Sequence, residues 1–165
     1  MMNIVFEKLG MEHQKSVIEI FNYYIATGTG AFPPTPLPEQ FYPMLMKRSE
    51  GLCAYAVVDA DAKKTIGFCS LSPFHPFSTF QATADVSYFI AADYTAKGIG
   101  AKCLSLLEQE GKTLGVQHLI AEISSENALS IQFHKKNGFS QVGELKNIGE
   151  KFDRKFGVVL MQKTI

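Results

Sequence analysis

Two glycines stand where the sequence indicates the start of a helix. Gly98 and Gly100 lie in the segment TAKGIG, and an apolar pattern with helical spacing follows directly. Glycine costs a helix up to about 1 kcal/mol relative to alanine, so this pair indicates a backbone that must approach something closely. The first N–H groups of a helix lack internal partners and carry partial positive charge, and Lys97 and Lys102 add cationic charge nearby. The pattern is typical of a phosphate-binding turn, although a plain tight turn has the same composition.

Two better-known phosphate motifs do not fit this segment. A P-loop requires G-x-x-x-x-G-K-[ST], which does not occur in the sequence. The dinucleotide fingerprint G-x-G-x-x-G would require glycine at the position of Cys103. If the turn binds phosphate, it therefore does so in a different structural setting.

The elements that must position this turn follow from the hydrophobic spacing. Alternation predicts a first strand at NIVFEKLG, helical spacing predicts a helix at MEHQKSVIEIFNYYIA, and four prolines predict a loop at TGTGAFPPTPLPEQ. We then expect a short helix at EQFYPMLMKR, a hairpin at CAYAVVDADAKKTIGFCSLSPF and a strand at TADVSYFIAA. After the helix that follows the turn come a strand at QHLIAEIS, a helix at NALSIQFHKKNGF and two strands between 139 and 165. This order predicts a mixed α/β sheet with helices on its faces.

Composition narrows the function classes. The 165 residues carry 16 basic and 16 acidic side chains, so no charge excess indicates nucleic acid or a membrane surface as a partner. No apolar run is long enough for a bilayer, and the first residues do not resemble a secretory signal. Three widely spaced cysteines in apolar surroundings indicate buried, reduced thiols. We therefore expect a cytoplasmic protein of one domain, spanning 1–165.

Several segments together resemble one known family. TAKGIG is similar to the [RQ]-x-x-G-x-[GA] loop of the GCN5-related N-acetyltransferases (GNAT), which holds the pyrophosphate of acetyl-coenzyme A (acetyl-CoA). DVSYFI, SSENALSIQFHKKNGF and VGELKNIGEKFDRKFGVVLMQ resemble the phosphinothricin and methionine sulfoximine acetyltransferase branch, as do FNYYIATGTGAF and GFCSLSPFHPF. The resemblance covers nearly the whole chain. It implies a GNAT fold: a mixed, mostly antiparallel sheet of about seven strands, splayed at the coenzyme site, with helices on both faces.

The resemblance implies a set of coenzyme-binding residues. A strand edge would bond the pantetheine arm, the glycine turn would hold the pyrophosphate, and the later helix would add further contacts. These residues are Tyr88, Phe89, Ile90, Thr95, Ala96, Lys97, Gly98, Ile99, Gly100, Asn127 and Lys136. Asn127 equally suits a helix cap, and Lys136 a solvated cation in a last helical turn.

The resemblance also implies two catalytic residues. Asp85 stands where this branch usually has glutamate, and it is the candidate general base, acting through water because its side chain is one carbon shorter. A solvated carboxylate at a strand end is the alternative for Asp85. His134 stands where many relatives have the tyrosine that protonates the departing thiolate, although a lone histidine on a helix is often structural. Backbone N–H groups near Phe89 would polarise the thioester carbonyl.

The acceptor is less defined. Phe32, Phe74 and His75 correspond to the acceptor pocket, although the two phenylalanines equally suit a core. Relatives carry arginine at the His75 position, where a bidentate guanidinium suits a substrate carboxylate, and histidine cannot reproduce that geometry. The sequence departs from the branch at three further positions, namely Pro33, Thr95 and Lys155. We expect a free amino acid or analogue, with a polyamine, another small amine or a protein N-terminus as alternatives.

Functions of other classes remain open at this point. A non-catalytic acetyl-CoA sensor on the same fold is one, and an interaction module is another, although the latter leaves the glycine turn unexplained. A metal or thiol enzyme would need ligand spacing that neither the cysteines nor the histidines (His13, His75, His118 and His134) show, so we expect no metal. We expect a homodimer because relatives usually pair and because we predict exposed aromatic side chains at Tyr42, Phe80, Phe152 and Phe156.

Overall fold

The computed structural model describes residues 2–165, which form one seven-stranded sheet with helices packed against it. In chain order the elements are β1 (Ile4–Lys8), α1 (Gln14–Thr27), α2 (Tyr42–Lys47), β2 (Ala54–Asp59), β3 (Lys64–Pro73), β4 (Thr83–Ile90), α3 (Ile99–Thr113), β5 (His118–Ser124), α4 (Ala128–Lys136), β6 (Ser140–Lys151) and β7 (Arg154–Thr164). Short 3-10 turns lie at Met11–His13, Glu39–Phe41, Ser78–Phe80 and Ala92–Tyr94. Every strand and helix that the hydrophobic pattern predicts is present.

The sheet has the strand order β1-β2-β3-β4-β5-β7-β6, and only β4 and β5 run parallel. Their ladder contains three residue pairs, from Thr83 with His118 to Asp85 with Ile120. Beyond Asp85 the two strands continue, to Ile90 and Ser124, without pairing. The prediction of a mostly antiparallel sheet that is splayed between two neighbouring strands is therefore confirmed.

Alternation along β4 assigns the two faces of the sheet. Ala84 and Ile90 belong to a buried cluster that includes Cys103, Leu104 and the other apolar side chains of α3. Phe89 instead packs on a second cluster, which α1 and α2 supply. Because successive side chains of a strand point to opposite faces, α1 and α2 cover one face and α3 and α4 the other. Helices on both faces are confirmed.

Two of the four aromatic residues that we expected to be exposed are buried. Tyr42 is fully buried at the start of α2, and its hydroxyl donates to the carbonyl of Gly10 at 2.6 Å. Phe156 is 6% exposed and stacks on Phe32 with a centroid separation of 6.1 Å. Phe80 and Phe152 are exposed. Hydrophobic spacing alone did not show that the chain before α1 contacts Tyr42, or that the loop after α1 covers Phe156.

The remaining sequence expectations concern thiols and membranes. Cys69 and Cys103 are buried, Cys53 is half-buried, and all three are free thiols. Among residues 2–165, no helix combines the length and the apolar character that crossing a membrane requires.

Candidate active site

The glycine turn between β4 and α3 has the backbone geometry that its sequence predicts. Gly98 lies in the left-handed region with φ of 76°, Ala96 does so with φ of 58°, and α3 begins at Ile99. A Cβ at position 98 would meet nothing within 4 Å, so this glycine is required by its φ angle and leaves open space beside the helix start. A Cβ at Gly100 would lie 3.4 Å from the Phe133 ring, so this glycine allows α3 to pack closely on α4. The two glycines therefore have different roles.

The other residues of the turn leave its outer side open. Thr95, Ala96 and Lys97 are exposed, whereas Ile99 is buried and anchors the helix start. The Lys97 ammonium donates to the carbonyl of Asp93 at 2.8 Å and lies 5.1 Å from the centroid of a tyrosine ring. The first N–H groups of α3 therefore face solvent with a cation nearby, which is the chemistry of an anion site.

The gap between β4 and β5 lies next to this turn. Tyr88, Phe89 and Ile90 follow the last β4–β5 pair, so their backbone on the β5 side has no strand partner. The Ile90 carbonyl accepts the Tyr24 hydroxyl at 2.5 Å. An extended molecular arm could add to such an exposed strand edge as a further strand does.

The residues predicted on α4 occupy three different environments. Asn127 caps the helix, since its Oδ1 accepts the backbone N–H of Ser130 at 3.1 Å. Its Nδ2 lies 3.5 Å from the position of a Cβ on Gly30. Lys136 is exposed in the last helical turn, and His134 is buried. The capping role of Asn127 is therefore present, and it leaves the amide nitrogen pointing toward the α1–α2 loop.

His134 and Tyr88 form a hydrogen-bonded pair that fixes the protonation of both. The Nδ1 of His134 lies 2.7 Å from the carbonyl oxygen of Ser130, and because a carbonyl only accepts, Nδ1 carries a proton. Burial lowers the pKa of His134, with the Ser130 hydrogen bond opposing, so the ring is neutral and Nε2 is bare. Nε2 then accepts the Tyr88 hydroxyl. Burial also raises the pKa of the Tyr88 phenol, which keeps its proton.

Asp85 lies in a cavity of about 250 Å³ on the opposite face of the sheet. Burial raises its pKa to about 6, with the charge of Glu122 adding to the rise and that of Arg48 opposing it. Its Oδ1 is buried and has no hydrogen-bond partner among residues 2–165. A carboxyl group that lines a cavity and has its pKa raised toward neutrality is suited to proton transfer.

The three residues predicted for the acceptor pocket are not together. Phe32 lines the Asp85 cavity, and Phe74 and His75 do not. β3 ends at Pro73, so both leave the sheet and pack on Phe80, with centroid separations of 6.0 Å and 4.9 Å. Sequence spacing did not show this local cluster, which a 3-10 turn at Ser78–Phe80 creates.

Several cavity residues were missed by sequence reasoning. Arg48 is the one cation among the lining residues, and Glu122 is the second carboxylate besides Asp85. Arg48 forms no ion pair with any carboxylate of residues 2–165. Much of the remaining wall is apolar or hydroxylated, and it includes Leu9, Phe21, Phe41, Leu45, Phe68, Ser70, Ser72, Ser87 and Phe89. Strand alternation could have paired Glu122 with Asp85, but no local signal marks Arg48.

A larger cleft of about 610 Å³ lies beside this cavity, between α2, β2 and the end of α3. Its wall includes Lys47, Glu50 and Glu110, and it shares Leu9, Ser49 and Ala54 with the cavity. Asp85 does not line it. We therefore place the candidate chemistry in the smaller cavity, which holds the perturbed carboxyl group.

The histidines show no metal-binding arrangement. Within the described part of the chain, residues 2–165, no three His, Cys, Asp or Glu side chains are grouped as metal ligands would be. His13 lies 3.1 Å from a carboxylate oxygen of Glu7, and His118 lies 3.2 Å from the Thr164 hydroxyl. Each therefore has a local partner.

Comparison with known proteins gives a consistent family match. Residues 19–140 match the Acetyltransferase (GNAT) domain family. The chain is similar to the L-methionine sulfoximine/L-methionine sulfone acetyltransferase of Pseudomonas aeruginosa, with 26% identity over 93% of this chain and 90% of the relative. It is also similar to the phosphinothricin N-acetyltransferase of Alcaligenes faecalis, with 29% identity over 91% of this chain and 77% of the relative.

Solved structures share the architecture. The ribosomal-protein-alanine N-acetyltransferase of Brucella melitensis superposes with a TM-score of 0.90 at 25% identity, over 98% of this chain and 99% of its own. The phosphinothricin acetyltransferase of Sinorhizobium meliloti, solved in complex with acetyl-CoA, has a TM-score of 0.92 at 23% identity, over 99% of this chain and 89% of its own. The latter likeness is one of fold.

Proposed function

The chain belongs to the GNAT acetyltransferase family and is an N-acetyltransferase, and we propose that it transfers acetyl from acetyl-CoA directly to the primary amine of an amino acid or an amino acid analogue. One observation carries this proposal. Asp85, with its pKa raised to about 6, lines a small cavity and lies on β4, the strand that parts from β5 and leads into the glycine turn.

The coenzyme side supports acetyl-CoA as the co-substrate. The open side of Gly98 and the free N–H groups of α3 suit a pyrophosphate, and the unpaired edge of β4 after Asp85 suits an extended amide-bearing arm. The residues we propose for this contact are those predicted from the sequence: Tyr88, Phe89, Ile90, Thr95, Ala96, Lys97, Gly98, Ile99, Gly100, Asn127 and Lys136. A solved neighbour of the same fold binds acetyl-CoA.

Asp85 is proposed as the general base. Attack of an amine on a thioester requires the amine to lose one proton and the departing thiolate to gain one. Because the pKa of Asp85 is about 6, it is ionised at neutral pH and still basic enough to accept a proton from an ammonium or through a water.

The proton for the thiolate is proposed to come from the Tyr88–His134 pair. In the neutral pair the transferable proton is that of the Tyr88 hydroxyl, because Nε2 of His134 is bare and Nδ1–H is committed to Ser130. His134 therefore acts by positioning that hydroxyl, and the phenol regains its proton from solvent after the thiol has left. Tyr88 and Asp85 are three residues apart on β4, so they lie on opposite faces of the sheet, and the base and the acid are kept separate.

The cavity supports a small acceptor with one anionic group. Its volume of about 250 Å³ lies below the roughly 300–1,000 Å³ of drug-sized ligand sites. Arg48 provides an unpaired guanidinium that could bind a carboxylate, and Phe21, Phe32 and Phe89 provide an apolar wall for a side chain. We therefore assign the acceptor carboxylate to Arg48, and His75, which lies outside the cavity, contacts acceptor only if its loop moves.

A second acceptor class has one specific observation in its favour. Glu122 faces the same cavity as Asp85, and two carboxylates suit a diamine or polyamine. A release assay for the coenzyme thiol, run with amino acids, sulfoximines and polyamines, separates the two classes. Turnover with zwitterionic amino acids and none with polyamines supports the first. If no amine in the panel causes thiol release, the proposed function is contradicted, and a coenzyme-binding module is the alternative.

We also propose a homodimer. β6 is an edge strand of 12 residues, and Val142, Leu145 and Ile148 on it are each at least 47% exposed. A long edge strand with exposed apolar side chains is unfavourable unless covered. Light scattering at micromolar concentration should give twice the mass of the 18.3 kDa chain, and the monomer mass would contradict the proposal. A cytoplasmic location remains a prediction.

A further inference from the structure

Lys151 is a buried lysine that the proposed chemistry does not use. It ends β6, its side chain is 6% exposed, and its ammonium donates to three backbone carbonyls. These are the carbonyls of Ile25 at 2.5 Å, Gly28 at 2.8 Å and Ala31 at 3.0 Å. All three proton positions of the ammonium are thus used on one short stretch of chain.

That stretch contains the end of α1 and the start of the loop that borders the Asp85 cavity. The last carbonyls of a helix lack internal partners, and a cation near them is favourable. α1 has no basic residue in its own last turn. The charge that completes this helix end therefore comes from a position more than 120 residues later in the sequence.

Two further sets of contacts hold the same loop against residues 124–126 and against β7. The Thr29 hydroxyl bonds to Ser124 at 2.6 Å and to Glu126 at 3.1 Å, and Glu126 is held by Arg154 through two hydrogen bonds of 2.9 and 2.8 Å. Phe32, which lines the cavity, stacks on Phe156. The β6–β7 hairpin thus contacts the loop at several points, although no hairpin residue lines the cavity.

We infer that Lys151 is a positioning residue that fixes the loop 28–33, and with it the acceptor wall at Gly30 and Phe32, from outside the cavity. This inference rests on the proposed function in that it takes the Asp85 cavity as the acceptor site. We expect little effect on the glycine turn, because the carbonyls bound by Lys151 lie on the face of the sheet away from it, and Asn127 beside Gly30 is the one proposed coenzyme residue next to this loop.

The test compares Lys151→Met with Lys155→Met. Both remove a lysine from the same hairpin, but Lys155 is exposed and donates no side-chain hydrogen bond within residues 2–165. In Lys151→Met, amide hydrogen exchange of residues 26–33 should become at least tenfold faster, while that of 95–113 stays within twofold of the parent protein. Lys155→Met should leave both segments unchanged.

Kinetics then separate positioning from general damage. In Lys151→Met the acceptor KM should rise about tenfold with less than a threefold change in kcat and in the Kd for acetyl-CoA. Lys151→Gln, which keeps two N–H donors without charge, should lie between the parent and Lys151→Met. Exchange is measurable without any acceptor, so failure of the proposed acceptor class shows in the release assay and not here.

Three results would overturn the inference. The first is unchanged exchange in residues 26–33 of Lys151→Met. The second is an equal loss of acetyl-CoA and acceptor affinity, which would indicate a general structural role. The third is loss of the folded state in both Lys151→Met and Lys151→Gln, because a local positioning contact does not hold the whole fold.

Discussion

The proposed coenzyme region and the proposed acceptor region are built in different ways. The glycine turn is six consecutive residues, 95–100, whose proposed function depends on backbone angles and free N–H groups. The proposed acceptor cavity collects side chains from Leu9 to Glu122, on four strands, two helices and the loops between them. A backbone site tolerates many side chains and few changes at glycine, whereas a side-chain site can change its ligand through single substitutions. We therefore expect substitutions to change the acceptor more readily than the coenzyme.

The strongest test of this difference is Gly98→Glu. The substitution places a Cβ at φ of 76° and a carboxylate where we propose a pyrophosphate, so acetyl-CoA affinity should fall about 100-fold, equivalent to about 2.7 kcal/mol. Gly115→Glu is the matched control, because Gly115 has φ of 85° and equally open space but lies at the other end of α3. Calorimetry should show near-parental affinity for the control. Undiminished affinity in a folded Gly98→Glu protein would remove the turn from the site.

On the acceptor side, Asp85→Asn should have the next largest effect. Turnover at neutral pH should fall at least tenfold, since a general base contributes about 10²–10⁴-fold, and acetyl-CoA affinity should not change. The loss should shrink at high pH, where the amine loses its proton unaided. Glu19→Gln, which removes an exposed carboxylate of α1 outside the cavity, is the control and should stay within threefold. Unchanged turnover in Asp85→Asn would exclude it as the base.

The pH profile sharpens the same point. A base with a pKa of about 6 is active when ionised, so kcat/KM should decline as pH falls through about 6. Because Glu122 raises this pKa and Arg48 lowers it, Glu122→Gln should move the acidic limb to lower pH and Arg48→Met to higher pH. If the acidic limbs of the two variants do not move in opposite directions, a group other than Asp85 is titrating.

Substitutions at Arg48 and His75 should have smaller effects. They test whether the acceptor carboxylate binds in the observed cavity or at the position that the resemblance implied. Arg48→Met should raise the KM for a carboxylate-bearing acceptor about fivefold to tenfold, and leave that for an uncharged amine within twofold. His75→Ala should have little effect on either, since His75 does not line the cavity. If His75→Ala raises the KM of the carboxylate-bearing acceptor and Arg48→Met does not, then His75 makes the carboxylate contact and the 74–80 loop moves on binding.

The smallest effect is on stability. The pKa of Asp85 is raised in the folded state from 3.8 to about 6, so its contribution is fully present below pH 3.8 and lost as pH rises through 6. The two-unit shift corresponds to about 3 kcal/mol, which solvent screening in a partly open cavity reduces to about 1 kcal/mol. Asp85→Asn should therefore raise the Tm by about 2–4 °C at pH 8 and leave it unchanged at pH 3.5. Equal shifts at both values would indicate a packing effect.

The sequence predicted the elements well because strands and helices have local periods, and it predicted the glycine turn because φ angles are local too. It placed Asp85 and His134 in their strand and helix but not in their surroundings. The Tyr88 hydroxyl reaches His134 across 46 positions, and the Lys151 ammonium reaches Ile25 across 126. No periodicity encodes such contacts. Arg48 was missed for the same reason. His75 was expected in the cavity because a resemblance in sequence does not show the path of the loop that carries it.

The short ladder between β4 and β5 has a consequence for how the chain folds. Strands β1 to β4 form one antiparallel meander and β5 to β7 another antiparallel group, and three residue pairs plus the α3 crossover join them. The junction has three residue pairs, fewer than any other pair of neighbouring strands, so it gains the fewest backbone hydrogen bonds for closing its loop, and we expect it to form last. The proposed coenzyme site lies in this junction and touches both groups. A bound coenzyme would thus act as a clamp on the last step, adding about 2.7 kcal/mol of stability at 100 times its Kd.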